Sequence, residues 1–396
     1  MMSGQWKKCL LGDLVELKRG YDLPTSSRIP GDYPIVSSSG ISGTHVEAKV
    51  KAPGVVTGRY GTLGQVFYLK EDFWPLNTSL YVRDFKRNHP RFIAYFLGSL
   101  GLASSNAAGA VPGLNRNHLH QLEVSAPDYE TQERVASILV AYDDLIENNM
   151  RRIEILEEMA RRLYEEWFVH FRFPGHDEVS FKESELGEIP QGWEVRRLED
   201  TVALNPRTKV PKVGEKWFVP MRALSESSMI VGNLERKPGN SGAKFQNADT
   251  LVARITPCLE NGKTGFVDFL PEDQPTACGS TEFIVLRSIS LCPEMVYLLA
   301  RSDRFRDVAI KSMSGATGRQ RVRVESLVDF PVVQPDSATL ETFQRFVSPF
   351  FKQARTLALK NSNLHAQRDL LLPKLVSGEI DVSDIPMPDD KEVEAA

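Results

Sequence analysis

The stretch Leu139–Trp167, LVAYDDLIENNMRRIEILEEMARRLYEEW, decides how the rest of this chain is read. Leu139, Tyr142, Ile146, Asn149, Ile153, Leu156, Ala160, Leu163 and Trp167 recur at alternating spacings of three and four. Such spacing lays them along one stripe of an α-helix for about four heptads. Arg151, Arg152, Glu157, Glu158, Arg161 and Arg162 flank the stripe. A narrow apolar seam between charged flanks predicts a helix that pairs with another helix; the alternative is a helix packed only on its own domain. A second seam stands 208 residues further on: Val347, Phe350, Ala354, Leu357, Asn361, Leu364, Arg368, Leu371 and Leu375. Asn149 and Asn361 interrupt the two seams at equivalent positions. Buried there, an Asn fixes register at some cost in stability; at a frayed or exposed point it does neither. Each seam follows a Pro-Asp pair, with Glu133 and Glu341 in the first turns and Gly175 and Gly378 just beyond the ends, which suits helix starts and stops.

Working outward, the bodies before the two helices also repeat. Trp6, Leu11, Asp13, Val15 and Leu17 align with Trp193, Leu198, Asp200, Val202 and Leu204 at a constant offset of 187. His118–Asp128 aligns with Ser326–Asp336 at an offset of 208, so the second copy carries about 21 extra residues in loops. Chance likeness of short strand-and-turn pieces is the competing explanation, and two anchors in one order argue against it. The expectation is an α+β protein with a pseudo-two-fold internal repeat. Two similar globular α+β domains, 1–127 and 188–335, are separated by two long helices, 128–172 and 336–378, forming an antiparallel coiled coil. Residues 173–187 are a linker, and 379–396 an acidic, disordered tail.

Charge follows the same division. Net charge is −4 overall, but +5 over residues 1–127, −8 over 128–187, +2 over 188–335 and −3 over 336–396. Two mildly basic bodies alternate with two acidic stretches, as expected of surfaces that meet phosphate and surfaces that meet protein. Met1–Lys8 is polar and no apolar run approaches 18 residues, so neither a signal peptide nor a membrane span is expected. Cys9, Cys258, Cys278 and Cys292 are scattered, without a CxxC pair or histidines at metal spacing. They read as free thiols of a cytoplasmic protein, with no metal and no cofactor.

Within each globular copy, short strands alternate with turns. Gly54–Gly61, Leu63–Tyr68 and Ser79–Val82 precede a helix near Phe92–Leu100 and a Gly/Ala/Ser-rich loop. Thr250–Ile255, Gly265–Phe269 and Glu282–Leu286 precede a helix near Glu294–Lys311 and a loop, Ser312–Gly318. The segment before the last strand carries Asn115, Arg116 and Asn117 in copy one, and Arg319, Gln320, Arg321 and Arg323 in copy two. Asn, Gln and Arg make bidentate contacts with adenine and guanine edges, and clustered Arg also suits phosphate. These residues, with Arg59, Tyr60 and Arg254 from matching glycine-flanked segments, are the DNA-binding candidates. A solvated, charged turn is the plainer alternative.

At this point the chain resembles the specificity subunits of type I restriction–modification enzymes. Leu119–Val135 resembles that family's exit strand running into its first conserved helix. Ser184–Glu194 resembles the junction opening the second target-recognition domain, and Leu371–Ile380 the close of the second helix. Copy two departs from the pattern in lacking the Gln-Arg pair after Pro-Asp, having Leu340-Glu341-Thr342-Phe343 instead. The resemblance covers essentially the whole chain and implies a non-catalytic subunit. Each globular domain would read one half of an asymmetric, bipartite site in double-stranded DNA, with the helices setting the gap. Two modification (methyltransferase) subunits would dock on the helices, and restriction subunits would join them.

Enzyme signals are weak. Gly262-Lys263-Thr264 resembles the end of a phosphate-binding loop, but Pro257 stands where that loop needs glycine. Asn205-Pro206-Arg207 lacks the aromatic ring that stacks a flipped base. Asp32, Glu47 and Lys49 have nuclease residue types at loose spacing. His118 and His120 alternate on an expected strand without a nucleophile beside them.

Overall fold

The structure, a computed structural model, describes residues 6–102, 113–316, 318 and 320–385. It divides into two units, Met1–Ile146 with the chain from Ser362 onward, and Glu147–Asn361. The cuts do not follow the expected domain limits: each passes through a long helix, beside its Asn. Tyr129–Phe168 forms one helix of 40 residues and Ser337–Ser377 another of 41. Asp128 and Asp336 cap them in the same way, each carboxylate accepting a backbone N–H three residues on, from Thr131 and Thr339, at 2.9 Å.

Each unit joins one half of one helix to the opposite half of the other. In the second unit, Asn149 Nδ2 donates to Asn361 Oδ1 at 2.8 Å, while Phe168 packs edge-on against Phe343, centroids 4.7 Å apart. Moving forward along the first helix therefore moves backward along the second, the signature of antiparallel pairing. In the first unit, Asp143 accepts from Arg368 at 2.7 Å, and Leu139 shares a core with Leu375 and Val376. The seam positions behave as a pairing stripe. Leu139, Ile146, Asn149, Ile153, Leu357 and Asn361 are buried, and Tyr142, Leu156, Leu163, Phe350, Leu364 and Leu371 are half-buried.

Pairing is not the helices' whole role. Phe351, one residue off the seam, is buried against Phe266 and Tyr297 of the second globular domain, with centroids 5.0 and 5.6 Å away. Glu157, expected on a charged flank, points into that domain, where it accepts from Ser228 Oγ at 2.5 Å and Met229 N at 2.9 Å. Burial raises its pKa above the usual carboxylate range, against these bonds. Packing on another helix and packing on its own domain, alternatives in the sequence, thus hold together in this unit.

The two globular bodies share a topology. In the first, an antiparallel sheet runs in the order Glu16–Arg19, Ser79–Asp84, Gly54–Gly58, Val66–Leu69. In the second, the order is Val202–Leu204, Phe283–Ser288, Thr250–Ala253, Thr264–Phe266. A second sheet contains one parallel pair in each body, Ile35↔Trp74 and Phe218↔Cys278. A two-stranded ladder closes each body, Lys7–Leu10 on Glu123–Ala126 and Glu194–Arg197 on Pro331–Gln334. The sequence anchors at offsets 187 and 208 flank or form the strands of this one ladder, which brings the chain back to its helix. Most of the extra length of copy two lies between Val219 and Thr250.

Three local expectations change. The helix expected over 294–311 is two helices, Pro293–Arg301 and Asp303–Lys311, because Ser302 ends one and caps the next through Phe305 N. His118 and His120 lie on a helix, Arg116–His120, not a strand; the Asn115 side chain caps it by accepting from Asn117 N at 2.9 Å. The expected tail is docked over its first residues. Val382 is buried in the first unit's core, and Arg134 donates to the carbonyls of Ser383 and Ile385 at 3.1 and 2.7 Å; 386–396 lie outside the described residues.

Candidate nucleic-acid interface

The same backbone cradle recurs in both globular bodies, and it holds an arginine each time. In the first, Arg59 N donates to Thr78 O at 2.8 Å, Arg59 O accepts from Leu114 N at 2.9 Å, and Tyr60 bridges to Gly113. In the second, Arg254 N donates to Glu282 O at 3.0 Å, Arg254 O accepts from Val322 N at 2.9 Å, and Ile255 bridges to Arg321. Arg59 is thereby equivalent to Arg254, Thr78 to Glu282, Gly113 to Arg321 and Leu114 to Val322. The segments before the exit strands are brought to these arginines through main-chain bonds, so the placement survives although the side chains differ.

The side chains make two different surfaces. In the first body, Arg19, Arg59, Tyr60, Leu114, Asn115 and Arg116 line a cleft of about 510 Å³. The Arg59 guanidinium lies over the Tyr60 ring, 4.5 Å from its centroid, and the ring is 41% exposed. This cation–π contact holds both groups with one face open. Gly113 makes the approach possible: a Cβ there would sit 2.3 Å from Tyr60 Cε1. Asn115 and Asn117 are exposed, but Asn115 Oδ1 is committed to capping. His120, the last residue of the helix, accepts from Leu17 N through Nε2 at 2.9 Å. Burial, then the charges of Lys86 and Arg116, lower its pKa and keep the ring neutral.

In the second body the cations are partnered. Arg321 grips Glu282, Nε lying 3.0 and 2.9 Å from the two carboxylate oxygens and Nη2 2.7 Å from Oε1. That bond holds the Glu282 pKa below the usual range. Arg254 is half-buried and donates to Val322 O at 3.0 Å, and exposed Arg323 donates to Ser314 Oγ at 3.0 Å. Gln320 contributes its carbonyl to Thr256 N at 3.1 Å. Arg319 lies outside the described residues. Arg19 and Glu282 escaped sequence reading: Arg19 ends a strand and Glu282 precedes one, and neither stands in a motif.

The discounted enzyme motifs are structural. Gly262–Thr264 is a turn entering a strand, not a helix, and Asn205 Oδ1 accepts from Val285 N at 2.9 Å to fix a bend. Among the described residues no group of three or more His, Cys, Asp or Glu could hold a metal, and no helix is long and apolar enough to cross a membrane.

Residues 3–158 match the family model described as type I restriction modification DNA specificity domain. The chain is 26% identical over 297 residues to the type I restriction enzyme MjaIX specificity subunit of Methanocaldococcus jannaschii, covering 72% of this chain. It spans just under two thirds, 66%, of that relative's length. It is 21% identical over 340 residues to the HindI specificity subunit of Haemophilus influenzae, covering 70% of this chain and 73% of that protein. The fold is that of the type I restriction–modification S subunit from M. genitalium, with a TM-score of 0.59 over 94% of this chain and 96% of that one at 14% identity.

Proposed function

We propose that this chain is a specificity subunit of a type I restriction–modification complex, a non-catalytic member of that complex, and that it reads a bipartite DNA site. Each globular body takes one half of an asymmetric double-stranded site. The paired helices hold the two readers at a set spacing and carry the methyltransferase subunits, with restriction subunits joining the assembly. The observation that carries this reading is the repeated cradle, which sets Arg59 and Arg254 at the same backbone position, each beside a polar exit segment. Two copies of one presentation device with different side chains are what two different half-sites require. Net charges of +5 and +2 on the two bodies support contact with phosphate. Leu145, Ile155 and Met159 on the first long helix, and Phe346, Leu359 and Leu370 on the second, are exposed, which supports a protein partner on the helices.

Methylome sequencing tests the proposal. A host carrying this chain with its modification subunit is compared with a host carrying that subunit alone. The expected result is a new split motif methylated on both strands, of which exchanging residues 188–335 changes one half only. No new methylation despite an active, co-purifying modification subunit refutes it.

A further inference from the structure

The second body contains an arrangement that the first lacks, and it bears on how an arginine distinguishes a base from a phosphate. Arg321 is held from both sides by its backbone: it pairs with Ser314 in a short ladder and bridges to Ile255. Glu282 is fixed likewise, its N–H donating to Ser280 Oγ at 3.2 Å and its carbonyl accepting from Arg254 N at 3.0 Å. Between these anchors the side chains form a two-point ion pair, with Arg321 50% and Glu282 22% exposed. The pair occupies the Nε edge of the guanidinium and one N–H of Nη2. Nη1 and the second N–H of Nη2 remain as an end-on fork, and that fork matches the O6 and N7 acceptors of guanine.

We propose that Glu282 makes Arg321 a reader of base edges by disfavouring phosphate at it; this rests on the proposed DNA-reading role of the second body. The reasoning is electrostatic. A lone arginine attracts a phosphate as one full charge at any distance inside the screening length. An arginine paired with a carboxylate is, from outside, a dipole with almost no net charge, so an approaching phosphate gains little and is repelled by Glu282. A guanine edge carries no net charge, and its acceptors sense the N–H groups at hydrogen-bond range, where the dipole still acts. The pair therefore trades sequence-independent attraction for discrimination, and it holds the fork in one orientation before DNA arrives. Position for position, the first body has Thr78 and Gly113 where the second has Glu282 and Arg321. In the first body the Arg59 guanidinium stacks on Tyr60 and keeps its full charge, although Arg19 pairs with Asp22 at 3.4 Å, so the two bodies divide the work: the first contributes more phosphate attraction, the second more discrimination.

The test uses the full chain with its modification subunits. Wild type first selects its site from a randomised duplex library, and affinities for that site and for a random-sequence 40-bp duplex are then measured against salt. Glu282→Gln keeps size and one acceptor oxygen, replaces the other with an amide donor, and frees one cation. The expected result is a salt slope on the random duplex steeper by about 0.9, one added phosphate, with specific-to-random discrimination down about tenfold. Arg321→Gln added to that variant should return the slope to the wild-type value. Arg321→Gln alone leaves Glu282 an unpaired carboxylate and should relax preference at a single base pair of the selected site, an arm that stands even if the Glu282 variant folds poorly. An unchanged slope in a folded Glu282→Gln protein overturns the proposal, and so does an Arg321→Gln protein that keeps the wild-type preference at every base pair of the selected site. If wild type selects no sequence at all, the DNA-reading role falls and this inference falls with it.

Discussion

Replacing the buried pair Asn149 and Asn361 by leucine, singly and together, gives a quantitative test of the helix seam. The two residues are 7% and 8% exposed and joined at 2.8 Å, with Ile153 and Leu357 near them in the seam. N149L removes the donor to Asn361 Oδ1 and leaves that oxygen beside new hydrocarbon. A buried polar group stripped of its partner costs about 1–3 kcal/mol, while a newly buried leucine returns about 1.5–3 kcal/mol less whatever its extra bulk strains. The single variants should therefore lie about 1 kcal/mol below wild type, a Tm lower by about 2–4 °C for a body of this size. In the double variant neither amide is left facing hydrocarbon in place of the other, so it should match wild type or exceed it. The coupling between the sites is then about 2 kcal/mol, readable from thermal melts of all four proteins as a double-mutant cycle. Singles that melt with wild type, or a double equal to the sum of its singles within about 0.5 kcal/mol, would refute the claim that the pair acts as a unit. The stabilised double variant also reports on register. A seam without its polar pair tolerates more than one alignment, and methylated sites with altered spacing should appear beside the original.

Further outcomes can be checked on the same protein. In G113A the new Cβ would lie 2.3 Å from the Tyr60 ring, so the ring must swing off Arg59; affinity for DNA should fall while melting drops by less than about 3 °C. His89 and His120 both accept a backbone N–H, and burial is the main cause lowering both pKa values below 6.5. The folded first unit then binds fewer protons than the unfolded chain, so its stability should decline as pH falls below 6.5, and H89Q/H120Q should flatten that decline in melts taken across pH. Asp268 has the opposite sign. Burial raises its pKa to about 6, only partly offset by Arg355 at 3.7 Å, so its contribution is present at low pH and lost as pH rises through about 6. D268N should remove that loss from the second unit's transition.

Periodicity alone located both long helices within a few residues, because a heptad seam sustained for four repeats has few competing explanations. The duplication was legible for a related reason: its anchors, Trp6 to Leu17 and Trp193 to Leu204, adjoin the closing ladder, where a buried core restricts substitution. Phe351 and Glu157 show where this legibility stops. A seam reports the face turned to the partner helix and is silent on a second face turned to a globular domain, so Glu157 looked like one more charge on a flank. The candidate interface was legible only in residue type. Asn115 caps a helix through Asn117 N, two residues on, in a segment whose pattern reads as a strand, whereas Arg321 as half of an ion pair depends on Glu282, 39 residues away in sequence.

The composition of the units also sets the order in which they can be completed during synthesis. The second unit lies wholly inside the span of the first, as an insertion between Ile146 and Ser362. A chain emerging from the ribosome presents the first globular body early, but the helical half that covers Leu139, with Val376 and Val382 behind it, is translated last. At about 5–20 residues per second, more than 200 residues must follow Leu139 before that cover arrives, a delay of roughly 10–50 s. The inserted unit can close first, so the usual vectorial order is inverted: the body begun first is the last to be sealed. Until then the side of the first body's core that Leu375, Val376 and Val382 cover stays open on the nascent chain.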